Sequence, residues 1–131
     1  MIGVDTSVLV RYLVGTPAAQ ARRAAALIDG EEEIGVAPVA LAECAHVLRT
    51  QYAVEGEAIL ESLIALVQRE NVRVLGLRTD VLLGILVRAR SLPGRPIPDA
   101  LIVAASLAAD ALPLVTFDHD QRRYGVATRE P

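Results

Sequence analysis

Short, nearly continuous apolar runs alternate along the chain with longer segments in which apolar residues recur every three or four positions. Ile2-Gly3-Val4, Ile34 to Ala37, Val72 to Leu75 and Leu112 to Phe117 read as buried strands. Between them, Val8 to Leu13 suits a first helix closed by Gly15, and Thr16 with Pro17 opens a second over Ala18 to Ile28 that stops at Gly30. Pro38 opens a helix carrying Glu43, Cys44 and His46. Glu57 to Arg69 follows, with Ile59, Leu60, Leu63, Leu66 and Val67 at helical spacing. Thr79-Asp80 caps a helix to about Ala89, and a Pro-rich loop from Ser91 to Pro98 leads through Asp99 into a last helix, Ala100 to Ala109. Strands and helices in alternation predict an α/β fold with a parallel sheet covered on both faces. Without repeats or an interdomain linker, residues 1–131 read as one domain.

Composition narrows the class. At 53% apolar residues the chain is no disordered tail. Its longest nearly apolar stretch, Ala100 to Ala109, is about half of a bilayer crossing. Met1-Ile2-Gly3-Val4-Asp5 lacks the basic start of a signal peptide, so a cytoplasmic protein with no membrane association is expected. A single cysteine, Cys44, excludes an internal disulfide framework and a multi-cysteine zinc site. All 13 basic residues are Arg, and the net charge is -3. That argues against a generally basic nucleic-acid coat while leaving room for a local Arg rim. The absence of Lys also disfavours a response-regulator receiver domain, whose phosphate chemistry uses one.

In an open parallel sheet, ligands bind beyond the carboxyl ends of the strands. Asp5 follows the first strand and Asp118 the last; Asp99 opens a very apolar helix, and Glu43 interrupts the run Val39-Ala40-Leu41-Ala42-Glu43-Cys44-Ala45. Each acid has a structural role open to it as well: Asp5 and Asp99 as helix-terminus charges, Glu43 on a solvated face with His46, Arg49 and Thr50, Asp118 and Asp120 as turn residues. Gathered by the fold, they would repel one another by about 4 kcal/mol per pair at ~4 Å and an effective dielectric near ~20. Such a cluster calls for a hard divalent cation, magnesium or manganese, and the chemistry that suits it is phosphodiester hydrolysis.

The order and spacing of Val4-Asp5-Thr6-Ser7-Val8-Leu9, Ala42-Glu43, Ile97-Pro98-Asp99-Ala100-Leu101-Ile102-Val103-Ala104-Ala105 and Leu114-Val115-Thr116-Phe117-Asp118-His119-Asp120 resemble the PIN domain, and within it the short toxins of the VapC type. The resemblance covers essentially the whole chain. It implies a three-layer α/β/α sandwich around a parallel sheet of about five strands. It also implies a Mg2+- or Mn2+-dependent endoribonuclease with Asp5, Glu43, Asp99 and Asp118 as catalytic and metal-binding acids. Ser7 and Thr116 match the family's small hydroxyl positions, where they would orient a carboxylate or a water, and Asp120 is an accessory acid. A homodimer and a small antitoxin that plugs the acidic groove with a basic side chain are implied too. Gln121 stands where the family often has an aromatic residue.

Among Arg11, Arg49, Arg95, Arg122 and Arg123, the candidates for RNA phosphate contacts, Arg95 and then Arg11 are preferred. His46 and His119 are read as structural, since the carboxylates already supply the chemistry, and Cys44 as core. With 3% aromatic residues, base stacking on aromatic rings contributes little. The rival from another class is a silent PIN-fold module that only binds RNA or a protein. Two other acid-cluster enzymes fit less well: the Toprim nuclease family has a Glu where Asp5 stands, and a haloacid-dehalogenase-like phosphatase has a second Asp where Ser7 stands.

Overall fold

The computed structural model describes residues 1–94 and 96–131, apart from the side chain of His119. The chain runs β1 (Ile2–Val4), α1 (Thr6–Val14), α2 (Ala18–Ile28), β2 (Ile34–Val36), α3 (Pro38–Gln51), α4 (Gly56–Val67), β3 (Val72–Val74), α5 (Thr79–Ala89), α6 (Ile97–Ala108), β4 (Leu114–Val115), a 3₁₀ segment (His119–Tyr124) and β5 (Thr128–Arg129). β1, β2 and β3 form a parallel sheet in that order, and β4 pairs with β5, also in parallel. The arrangement fits the expected α/β/α sandwich. Among the described residues, however, the sheet has three strands rather than about five, the other two forming a separate ladder.

β2 is the middle strand, and Ile34 and Val36 are fully buried. Gly35 sits between them because a Cβ there would come within 2.8 Å of the Leu75 side chain. The core joins these positions to Val72 and Val74 of β3 and to one stripe of each neighbouring helix: Leu9 and Val10, Leu41 and Leu48, Leu60 and Leu63, Leu82 and Leu86, and Val103 and Ala104. Burial of such a continuous apolar set is the main force holding the layers together.

Register decides where the polar residues emerge. Val4, Val36 and Val74 pair across the sheet, so the three strands end level. Asp5 therefore leaves β1 at the edge where α3 starts, and Glu43 sits in the second turn of α3. The chain reverses between α6 and β4, which returns Asp99, at the start of α6, to the end from which Asp118 leaves β4.

Several local details differ from the sequence expectation. α1 begins at Thr6 instead of Val8 because the Asp5 side chain caps it. α6 begins at Ile97, three residues early, with Pro98 in the first turn, where a missing N–H costs nothing. Thr79 does not cap α5: its hydroxyl accepts a 3.0 Å hydrogen bond from the Val74 N–H and ties the helix to β3. The strand expected over Leu112 to Phe117 shrinks to Leu114–Val115. Pro113 offers no donor before it, and after it the Thr116 hydroxyl takes the Asp118 N–H, bending the chain out of the ladder.

Candidate acidic site

Asp5 is fixed through one oxygen. Its Oδ1 accepts from the Ser7 hydroxyl at 2.6 Å, the Ser7 N–H at 3.0 Å and the Val8 N–H at 3.3 Å. The Ser7 hydroxyl, followed by the Val8 N–H, holds the Asp5 carboxyl below its ordinary range, and the Arg11 charge adds to this. An exposed carboxylate is thus anchored on one side, ionised and open on the other. Thr6, the next residue, donates its hydroxyl to Glu43 Oε2 at 2.9 Å, which locks α3 to the start of α1.

Asp99 is shifted the opposite way to Asp5. Asp99 is half-buried in the first turn of α6, and its carboxyl is raised above the ordinary range first by desolvation and then by the Asp118 charge. Asp120 pushes in the same direction, and a hydrogen bond from the Gln121 side chain pulls against both. Asp118 caps the 3₁₀ segment, its Oδ1 accepting from the Asp120 N–H at 2.9 Å. Thr116 acts on the Asp118 backbone, accepting its N–H at 2.8 Å, rather than on its carboxylate. Asp120 faces Arg123 at 3.5 Å.

The acids therefore stand as two groups: Asp5 with Glu43, joined through Thr6, and Asp99 with Asp118 and Asp120. Among the described residues, no three Asp, Glu, His or Cys side chains converge closely enough to hold a metal ion. The donor chemistry fits one all the same. Magnesium takes oxygen ligands and needs only one or two carboxylates directly, and Asp99 with Asp118 is a pair whose uncompensated charge already shifts one partner. A buried polar atom is also orphaned there: Gln121 is 8% exposed and its Oε1 has no hydrogen-bond partner. A hydrated cation would relieve both.

Sequence reasoning passed over three residues that shape the site: Thr6, Gln121 and Tyr124. Gln121, standing where an aromatic was expected, instead fills its buried place with an amide bonded to Asp99. Tyr124 is 4% exposed, donates to the Pro96 carbonyl at 3.1 Å, and has its hydroxyl pushed up to about 12 by burial and by the Asp99 charge. For Gln121 and Tyr124 the signal available was their closeness in sequence to the Asp118–Asp120 turn, and for Thr6 its place directly after Asp5. Arg11 lies over the first turn of α1, donating to the Ser7 carbonyl at 3.3 Å and to Gln20 Oε1. Arg95 falls outside the described residues. Cys44 is fully buried and its thiol is pushed up to about 11 by desolvation, as a core residue requires.

Parallel strands that end level, with Asp5 following the first of them and helices covering the sheet, define an α/β protein. The family model described as PIN domain matches residues 2–127, and the chain belongs to that family. PIN domains are generally nucleases and commonly depend on divalent metal ions. No curated protein and no solved structure matches the chain. No helix among the described residues is long and apolar enough to cross a membrane.

Proposed function

We propose that this PIN domain is a Mg2+- or Mn2+-dependent endoribonuclease of the VapC toxin type. The observation that carries the reading is the 2.9 Å hydrogen bond by which Thr6, the residue after Asp5, holds Glu43, with Asp99 and Asp118 as a second pair close enough for one charge to act on the other. Asp5, Glu43, Asp99 and Asp118 would hold the metal. A divalent cation bound there supplies a stronger nucleophile from water and positive charge for the leaving oxygen of a phosphodiester. Ser7 keeps Asp5 ionised and fixed in direction, with Oδ2 left clear of the hydrogen bonds that anchor Oδ1. Thr6 keeps Glu43 turned toward the same end. Thr116 and Asp120 set the bend that presents Asp118. Arg11, beside Asp5, and Arg95 would hold RNA phosphates at the rim, since a carboxylate centre needs local cations to admit a polyanion.

The toxin reading adds a small antitoxin and a homodimer, in the cytoplasm. Phe117, 80% exposed next to Asp118, and Val39, 72% exposed one turn before Glu43, support a partner that covers the groove. A guanidinium from such a partner would compete with the cation for the same oxygens, because Arg pairs carboxylates with two parallel hydrogen bonds. The test is cleavage of a mixed RNA pool with Mg2+ or Mn2+, abolished by chelation and restored by added metal. Retention of RNA with no cleavage at any metal concentration would favour a silent binding module instead.

A further inference from the structure

Against α3 and the start of α6, the helices that carry Glu43 and Asp99, lies a cavity of about 270 Å³ that the proposed chemistry leaves unused. Its floor is small and apolar, from Ala42, Ala45, Ile59 and Ile97, and His46 and Arg49 line it from α3. We propose that this cavity receives an unstacked nucleobase of the RNA, from a nucleotide adjoining the phosphate at the acids, and that His46 and Arg49 select it. The inference rests on the nuclease reading and deepens it by naming what chooses the cleavage site.

Three observations carry it. The first is placement: Ala42 precedes Glu43 and Pro98, also in the wall, precedes Asp99, so the two helices that carry two of the acids also build the cavity. Each of those two acids is one residue along its helix from the cavity wall, which is the basis for placing the base of an adjoining nucleotide there. The second is chemistry. Proteins that read single-stranded RNA splay a base out, stack it on a ring or a guanidinium plane, and hydrogen-bond its edge. In a chain with 3% aromatic residues, the His46 imidazole and the Arg49 guanidinium are the planar groups at this cavity. The third is availability. Arg69, Arg78, Arg90 and Arg123 are held by Asp29, Asp80, Glu61 and Asp120, whereas among the described residues no carboxylate pairs with Arg49. His46 is exposed; the hydrogen bond from the Thr50 hydroxyl goes to its backbone carbonyl and leaves the ring free of it. An apolar floor suits a flat ring.

The experiment follows the His46 ring resonances by NMR, without metal, while the four nucleoside 5′-monophosphates are titrated in and ribose 5-phosphate serves as the base-free control. At least one nucleotide should saturate the shift at least about tenfold more tightly than the control, the weight of one stacked base. Arg49→Ala, at an exposed helix position that folding does not need, and Ala42→Leu, which fills the cavity, should each remove that difference. Cleavage ends mapped on a randomised RNA pool should show a base preference beside the cut that Arg49→Ala flattens. Equal binding of ribose 5-phosphate would make the cavity a phosphate site and overturn the proposal, as would a response to a protein partner alone. So would an unchanged end pattern in both variants. If the wild type cleaves nothing but still discriminates among nucleotides, the nuclease reading fails and the base pocket stands.

Discussion

The Thr6 hydroxyl donates a 2.9 Å hydrogen bond to Glu43 Oε2 across a separation of 37 residues, joining the turn after β1 to the second turn of α3. This bond orients Glu43 toward the end of the fold where Asp5 stands. Thr6→Val keeps the shape and removes the donor. RNA cleavage should fall by about tenfold, the weight of one hydrogen bond to a charged acceptor, while the melting temperature barely moves because both partners are at least partly exposed. An unchanged turnover would show that the Thr6 bond does not orient Glu43 for cleavage.

Asp99→Asn separates stability from activity. A carboxyl raised above its unfolded value of 3.8 binds more protons in the folded chain than in the unfolded one. The stability that this adds is therefore complete at pH below that value and is lost as pH rises through the folded value. The amide carries no charge to desolvate, so the variant should melt higher than wild type at neutral pH without metal, and the gain should vanish in acid. Cleavage should fall by about a hundredfold or more. Thermal denaturation across a pH series, with cleavage assays alongside, reads both.

Metal titration should rank the acids. Calorimetry with Mn2+ is expected to lose most affinity in Asp99→Asn and Asp5→Asn, and less in Glu43→Gln and Asp118→Asn. Affinity in the wild type should weaken as pH falls toward the raised Asp99 value, because the protonated carboxyl is no longer a ligand.

Gln121→Leu deletes the hydrogen bond that pulls Asp99 down while filling the same buried space. The Asp99 carboxyl should then titrate higher still, measurable by carbon-detected NMR, and the pH at which cleavage begins should rise with it. A profile identical to wild type would leave Gln121 with a packing role only.

Native Cys44 should resist iodoacetamide. Raising its thiol from 9.0 to about 11 lowers the thiolate fraction by about a hundredfold at neutral pH, and full burial blocks access besides. Unfolding in urea should restore ordinary labelling, and Cys44→Ala should leave cleavage unchanged.

The apolar periodicity by itself pointed to the α/β class, the approximate place of the helices and the position of Asp5 and Asp118 after apolar runs, because helix and strand periods are local properties of a chain. It could also mark Cys44 as core, since it lies within a run of small apolar residues. What it could not fix was which local signals would prevail at the boundaries: Thr79 has the composition of a helix cap but its hydroxyl is taken by β3, and Leu112 to Phe117 has the pattern of a long strand but loses its ladder to Pro113 and the Thr116 bend. Nor could it reveal that Asp5 and Asp99 are shifted in opposite directions. Asp5 is lowered by donors within three residues, a local effect that the motif Asp-Thr-Ser already contains. Asp99 is raised by burial and by Asp118, 19 positions away, and the Gln121 amide that opposes this comes from a turn on another element. Desolvation and through-space charge depend on which surfaces the packed core brings together, so only the tertiary structure decides them.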